Sequence, residues 1–419
     1  MGLIFVNPEW EVIMTIGYYE GFDYGGGIAE KEEHFILWPE TGTRTALVDA
    51  DLLPYRIAFV IDPAQELAAK GLVKGGHYKC IEDTPQFESA FESLCQTLNK
   101  WIRDAGCDSA KLYATDSAKN FRLDLAYTTD YKGQRPEDKP PFFNELKTQM
   151  IFLLKAMLSD GNEADDELSI EAWRRYRLLE EQGVELGSEM HKELCDSVTI
   201  SIDKDSTITP TWHYNPDTQK LIFVDPLGEL NPKFSNKEVN HYEYVGTGEF
   251  WKRGAKAGQE KVKRVLVGKR PSTSITDLKG TGLKFFYAQI IMGDVADNYK
   301  GLKGKGMTFA YSLLDNCKTE KEMYYAVLGA YKEVYGTGKH WCPNFRGTQE
   351  YYDNYVLHHN APPPDWDFWK GKGAYLTAYD RMLEQGRLAW MQTFPNEIWR
   401  SKSPVIYGND KEFWHDRTA

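Results

Sequence analysis

Carboxylates crowd into a few short stretches of this chain. Gly161-Asn162-Glu163-Ala164-Asp165-Asp166-Glu167 places four acids in five positions, directly ahead of a helix-forming run that begins at Leu168. A helix N-terminus favours negative charge, yet four neighbouring carboxylates repel one another and call for protons or cations. Hard divalent cations, which take oxygen ligands and water, answer that demand. Gly293-Asp294-Val295-Ala296-Asp297-Asn298 is a second dense set, and acids also close three apolar runs, at Asp49, at Asp116 and at the pair Asp203 and Asp205. Together Asp49, Asp116, Glu163, Asp165, Asp166, Asp203, Asp205, Asp294 and Asp297 are more carboxylates than one ion can use. Two Mg2+ (or Mn2+) ions would neutralise them, and such a pair is suited to clamp an in-line displacement at phosphorus.

Two further segments supply positive charge. In Tyr131-Lys132-Gly133-Gln134-Arg135-Pro136, Lys132 and Arg135 are suited to meet the negative charge that builds on non-bridging oxygens during phosphodiester hydrolysis. Tyr131 is placed to stack on a terminal base. Gly301-Leu302-Lys303-Gly304-Lys305-Gly306-Met307-Thr308 is only superficially a Walker A loop, because Met307 stands where that loop needs Lys. It reads instead as a hairpin between two helices. Gly301, Gly304 and Gly306 let backbone N–H groups approach a phosphate, while Lys300, Lys303 and Lys305 add attraction that is indifferent to sequence.

The elements that position these groups alternate. Thr45-Ala46-Leu47-Val48-Asp49, Lys111 to Asp116, and Ser197 to Asp205 read as buried strands that end in acids. A helix follows from about Leu52, and another spans Gln86 to Ala105, with Phe87, Phe91, Leu94, Leu98 and Trp101 near helical spacing. Strands alternating with helices predict an α/β fold with a mostly parallel central sheet and right-handed crossovers. Ligands of such sheets bind beyond the carboxyl ends of the strands, so this fold gathers Asp49, Asp116, Asp203 and Asp205 at one edge. One strand-ending Asp is usually a turn or cap residue; three such strands together with the two acid clusters are poorly explained that way.

Residues 1–44, aromatic- and Gly-rich around Gly25-Gly26-Gly27, are read as an N-terminal extension. The core is expected over 45–319, with an insertion at about 206–279, and residues 320–419 as a helical and loop extension. In that extension Tyr375, Tyr379, Leu388 and Trp390 are expected to pack against the core.

The 419-residue chain carries a net charge of −12, which argues against a nucleic-acid partner until its distribution is considered. Trp251 to Lys305 holds thirteen Lys or Arg against four acids. No apolar run is long enough to span a membrane. Residues 1–11 lack a basic leader, and Val6 stands where a myristoylation signal needs Ser or Thr. The six cysteines, Cys80, Cys95, Cys107, Cys195, Cys317 and Cys342, form no Cys-x-x-Cys pair, which fits reduced thiols of a cytoplasmic protein and disfavours a zinc site. No Ser-His-Asp arrangement is legible, and metal-assisted hydrolysis needs no protein nucleophile.

The ordered set LVDAD, ATD, DYKGQR, EADD, DKD, GDVADN and GLKGKG resembles the 5′→3′ exonuclease and flap endonuclease family, with its PIN-like fold. It is most similar to bacteriophage members and to the nuclease domain of bacterial DNA polymerase I. The resemblance runs from about Thr45 to Leu314. It implies that the nine carboxylates named above surround two divalent ions, and that Lys132 and Arg135 contact the scissile phosphate. It also implies a helix-three-turn-helix over about 284–316 that holds duplex backbone, often with a bound K+ ion. The implied activity is Mg2+-dependent 5′→3′ exonucleolytic cleavage of duplex DNA that releases 5′-phosphorylated nucleotides, with RNA–DNA hybrids and 5′ flaps as further substrates. A phage-encoded protein of this kind works in the host cytoplasm, in replication, recombination or DNA degradation. Gln134 replaces the family's usual Asn. The stretch from Arg135 to Glu163, an arch in flap-cutting relatives, is short here, which favours attack on duplex ends over threading of a flap. The alternatives are a structure-specific flap endonuclease or a ribonuclease of the same fold and, from another class, a non-catalytic DNA-binding replication protein. The last would be expected to lack core acids, and none is missing.

Overall fold

The computed structural model describes residues 12–19, 30–40, 42–58, 61–116, 119–135, 138–363, 366–372 and 374–400. Gly25-Gly26-Gly27 and Pro136, singled out above, lie outside them. Val12–Tyr19 and Glu30–Leu37 pair as an antiparallel hairpin.

The central sheet is built on Thr45–Asp49 (β1), whose five residues are all buried. Side chains alternate across a strand. Ala46 and Val48 therefore enter one core and Leu47 the other. Ser109–Ala114 (β2) and Ser197–Ile200 (β4) flank β1, both parallel to it, with Thr45 opposite Ser109 and Ser197. Met157–Leu158 (β3) extends the sheet beyond β2, and Trp212–Asn215 (β5) and Lys220–Phe223 (β6) extend it beyond β4. The order is β3-β2-β1-β4-β5-β6, with β6 alone antiparallel. This is the mostly parallel α/β architecture expected. Two boundaries differ from the sequence reading. The third acid-ended strand stops at Ile200, so Asp203 and Asp205 lie in the turn beyond it. The first part of the supposed insertion, β5 and β6, belongs to the central sheet.

Helices cover both faces. Pro85–Asp104 (α1), N-capped by Thr84, turns Phe87, Phe91, Leu94, Leu98 and Trp101 into the core shared with Ala46 and Val48. Phe121–Leu125 (α2) is one short helix capped by Asn120. Ala164–Glu180 (α3) lays Leu168 and Ala172 on Leu47 and Tyr113 from the opposite face.

A second core surrounds Gly282–Met292 (α4), where ten consecutive residues, Gly282 to Ile291, are buried. Met307–Leu314 (α5), Glu320–Tyr335 (α6) and Ala378–Ala389 (α7) enclose it, joined by Trp390 and Trp399. Leu388 and Trp390 thus pack inward as expected, whereas Tyr375 is exposed. Leu230–Phe234 and Ile275–Gly280, which add Leu230, Ile275 and Leu278 to this second core, form a two-stranded base from which a long ribbon rises, Glu238–Phe250 paired with Glu260–Pro271. Among the described residues, no helix is long and apolar enough to cross a membrane.

Candidate active site

Asp49 closes β1. Its Oδ1 accepts the Asp51 N–H at 3.2 Å, and Ser201 Oγ donates to its Oδ2 at 3.4 Å. Burial, Asp51 and Asp203 together push the Asp49 carboxyl up to about 8. Asp165 stands in the first turn of α3. It keeps part of its surface open, but its Oδ1 is sealed from solvent and receives no hydrogen bond. Burial, then Asp49, Asp203 and Glu163, drive its carboxyl well above the usual range. Beyond β4, Asp203 Oδ1 accepts the Asp205 N–H at 2.9 Å. Burial followed by Asp203 and Asp294 raises Asp205 to about 8, with Lys204 opposing. Gln289 of α4 donates to Asp205 Oδ1, and Lys204 pairs with Asp294. A continuous run of mutually repelling acids, Asp49, Asp165, Asp203, Asp205 and Asp294, thus crosses the carboxyl edge of the sheet.

At one end this run meets the basic loop. Glu163 Oε1 accepts from Asn120 Nδ2 at 2.8 Å and from Lys132, while its Oε2 faces Tyr131 Oη at 3.2 Å. Burial works to raise Glu163, and Arg122 and Lys132 overcome it, holding the carboxyl below its usual range. Asp297 Oδ1 accepts from Arg135 at 2.8 Å, and its Oδ2 from Tyr131 Oη at 2.9 Å. The Lys132 N–H donates to the Asp297 carbonyl at 3.0 Å, and Gln134 Nε2 to Asn298 Oδ1 at 2.6 Å. Lys132 adopts a left-handed backbone, φ 56°. The loop is riveted to the Asp294–Asn298 segment, with the Arg135 side chain half exposed.

Three sequence expectations change here. Tyr131 is 2% exposed, with its hydroxyl shared between Glu163 and Asp297, so it cannot stack on a base. Asp166 is fully buried and both its oxygens are taken by Arg122, at 2.6 and 2.8 Å, so it serves as an anchor and not as an open ligand. Asp116 lies two residues past the end of β2 instead of closing it, and its N–H donates to Ser159 Oγ at 3.1 Å.

Arg122 is the residue the sequence hid. It is fully buried on α2, a five-residue helix too short to show a period. Its Nε donates to the Leu388 carbonyl at 3.1 Å and its Nη2 to the Trp390 carbonyl at 2.7 Å. The Gln392 N–H reaches Asp166 at 3.3 Å. One guanidinium therefore ties the acidic start of α3 to the end of α7. Asp51 was also missed. It accepts the Thr115 N–H at 2.8 Å and Lys147 Nζ at 2.9 Å, and so braces β1 against β2.

Gly301 to Gly306 is the second part of the segment between the end of α4 at Met292 and the start of α5 at Met307, after the Asp294–Asn298 acids. The Gly301 N–H donates to Gln385 Oε1 at 2.8 Å. Beside it opens a cavity of about 740 Å³ lined by Lys300, Lys303, Tyr335, Trp341 and Arg381. Lys305 lies over the Phe309 ring at 4.2 Å.

Among the described residues no three His, Cys, Asp or Glu side chains converge as they lie to hold an ion; lysines 132 and 204 hold two of the acids instead. The donor set nevertheless suits hard cations. All candidate ligands are carboxylates, burial and mutual repulsion make Asp49, Asp165 and Asp205 hold their protons without a cation, and Asp165 Oδ1 receives no hydrogen bond.

By sequence, the chain matches no protein-family profile and no curated protein. Among solved structures it is similar to a T5 protein co-crystallised with metal ions, at 14% identity over 70% of this chain and 93% of that one, TM-score 0.33. It is also similar to the bacteriophage T5 flap endonuclease in a pseudo-enzyme–product complex with DNA and metal ions, at 14% identity over the same shares, TM-score 0.31.

Proposed function

We propose that the chain is a divalent-metal-dependent 5′→3′ exonuclease on duplex DNA. The observation that carries this reading is Asp165 Oδ1, buried and without a hydrogen bond, on a carboxyl driven up by burial and then by the charges of Asp49 and Asp203. A buried carboxylate oxygen that no donor satisfies costs free energy unless a cation meets it. Asp49, Asp165, Asp203, Asp205 and Asp294 are the residues that would hold two Mg2+ or Mn2+ ions, with Glu163, Asp297 and Asp116 at the periphery. Bound there, such ions supply hydroxide at neutral pH and neutralise charge on the leaving 3′-oxygen.

The protein's own groups do the rest. Lys132 and Arg135, now paired with Glu163 and Asp297, turn to a phosphate's non-bridging oxygens once those carboxylates are otherwise neutralised. Gln289 and Ser201 orient Asp205 and Asp49. The turn at Gly301, Gly304 and Gly306, with Lys303 and Lys305, would hold duplex backbone, and would be the place for the K+ ion that belongs to the same reading. The short stretch between Arg135 and Glu163 supports attack on duplex ends over flap threading.

The test is digestion of a linear duplex with distinct 5′ and 3′ labels, in Mg2+ or EDTA, alongside D203N/D205N. Mg2+-dependent release of the 5′ label, lost in the variant, is the expected outcome. No cleavage of duplex, flap or RNA–DNA hybrid would leave a non-catalytic DNA-binding protein as the better reading.

A further inference from the structure

The ribbon Glu238–Phe250 paired with Glu260–Pro271 has no core, and not one residue of either strand is buried. A two-stranded hairpin alone is marginally stable in water, so a surface this extended is built to be covered. Its charge says by what. From Glu238 to Pro271 there are eight Lys or Arg against four Glu, a net of +4 on a chain that carries −12 overall.

The register sets Tyr244 opposite Arg264 and Val245 opposite Lys263. Arg264 stacks over the Tyr242 ring at 3.6 Å, and Lys261 reaches over Trp251 at 5.5 Å. These stacks hold cations against the half-buried Tyr242 and the exposed Trp251, with Tyr244 exposed on the same ribbon, the surface chemistry of a nucleic-acid contact. At about 3.4 Å per residue, a 13-residue strand spans roughly 44 Å, more than one turn of B-DNA. A two-stranded ribbon also fits the major groove. The ribbon's base stands on α5, the helix that opens after Gly306: the Ile275 N–H donates to Thr308 Oγ1 at 3.0 Å, and Phe234 meets Tyr311 edge to face at 6.3 Å. Ribbon and glycine turn therefore share one foundation.

We propose that this ribbon is a second duplex-DNA-binding arm, gripping the phosphate backbone independently of sequence. The proposal rests on the nuclease reading for its choice of DNA, and its test separates the two.

The experiment is fluorescence anisotropy of a labelled blunt duplex of about 30 base pairs with the full chain in EDTA, across a KCl series, for wild type and K263A/R264A/K269A/R270A. All four positions are exposed, so the fold should survive; circular dichroism checks this, and K263E/K269E is the second variant if it does not. The expected result is affinity at least about tenfold weaker and a log–log salt slope shallower by roughly 3. Unchanged affinity and slope overturn the proposal, as does tighter binding to single strands than to duplex that the same variant abolishes. Weakened binding with no Mg2+-dependent cleavage by either protein would sink the nuclease reading and leave the arm. Normal cleavage with unchanged binding would sink the arm alone.

Discussion

Gly293 and Gly301 meet backbone to backbone where the last acid cluster adjoins the glycine turn. A Cβ on Gly301 would fall 2.4 Å from the Gly293 nitrogen, and one on Gly293 would fall 2.7 Å from the Gly301 nitrogen. Both residues are left-handed, φ 72° and 63°. The contact fixes Asp294 relative to the turn, so G301A should cost roughly 2–4 kcal/mol, combining backbone strain with overpacking. Urea unfolding measures the loss. A change below about 0.5 kcal/mol would show that the two segments part easily.

Arg122 and Asp166 form a buried pair, and removing one partner strands the other. R122L should destabilise the fold by about 3–5 kcal/mol, while R122L/D166L should recover much of that. Equal losses in single and double variants, by the same unfolding assay, would refute the pairing argument.

D203N/D205N should behave in opposite ways with and without metal. Asp205 holds its proton more tightly folded (about 8) than unfolded (3.8), so the stability this proton contributes is full below about 4 and lost as pH rises toward 8. At pH 8 in EDTA the variant should therefore melt above wild type. Added Mg2+ should raise the wild-type melting temperature and leave the variant's unmoved. A wild-type melting point indifferent to Mg2+ would remove the case for resident ions.

His213 gives the opposite pH dependence. It is 2% exposed on β5, its ring bonded to Ser206 Oγ at 2.8 Å, and burial pulls it down to about 4 from 6.5. Folded His213 binds its proton more weakly than unfolded, so its contribution is full above 6.5 and lost as pH falls through 4. The loss is on the order of 3 kcal/mol. Because Ser206 Oγ also donates to the Asp203 carbonyl at 2.6 Å, the acid side of the stability curve should flatten in H213N relative to wild type. Parallel curves would count against it.

K132M should lower kcat by about 10²- to 10³-fold if Lys132 meets charge that grows in the transition state. A rise in KM alone would assign it to ground-state binding instead.

The sequence exposed those parts of the site whose signals are local. Asp49 at the end of an apolar pentapeptide, and Asp165 at a helix start, are readable from neighbours in the chain, and so is the loop joining α4 to α5. What escaped depends on partners far away. Arg122 acquires its role only through Asp166 and the carbonyls of Leu388 and Trp390, 266 and 268 positions distant. Tyr131 looks like a stacking residue until the fold seals it between Glu163 and Asp297. Trp212–Asn215 reads locally as a strand followed by a turn and a second strand, but nothing in its neighbours announces that it extends a sheet begun at Thr45.

The long reach of Arg122 has a consequence for how the protein comes into being. A chain emerging from the ribosome presents Arg122, Glu163 and Asp166 long before Leu388, Trp390 and Gln392 exist. Until those last residues arrive, the guanidinium lacks two of its acceptors and α3 lacks its fastening to α7. The acidic cluster therefore takes its final form only once residues 388–392 have been made, so a copy cut short before them is born without a settled site.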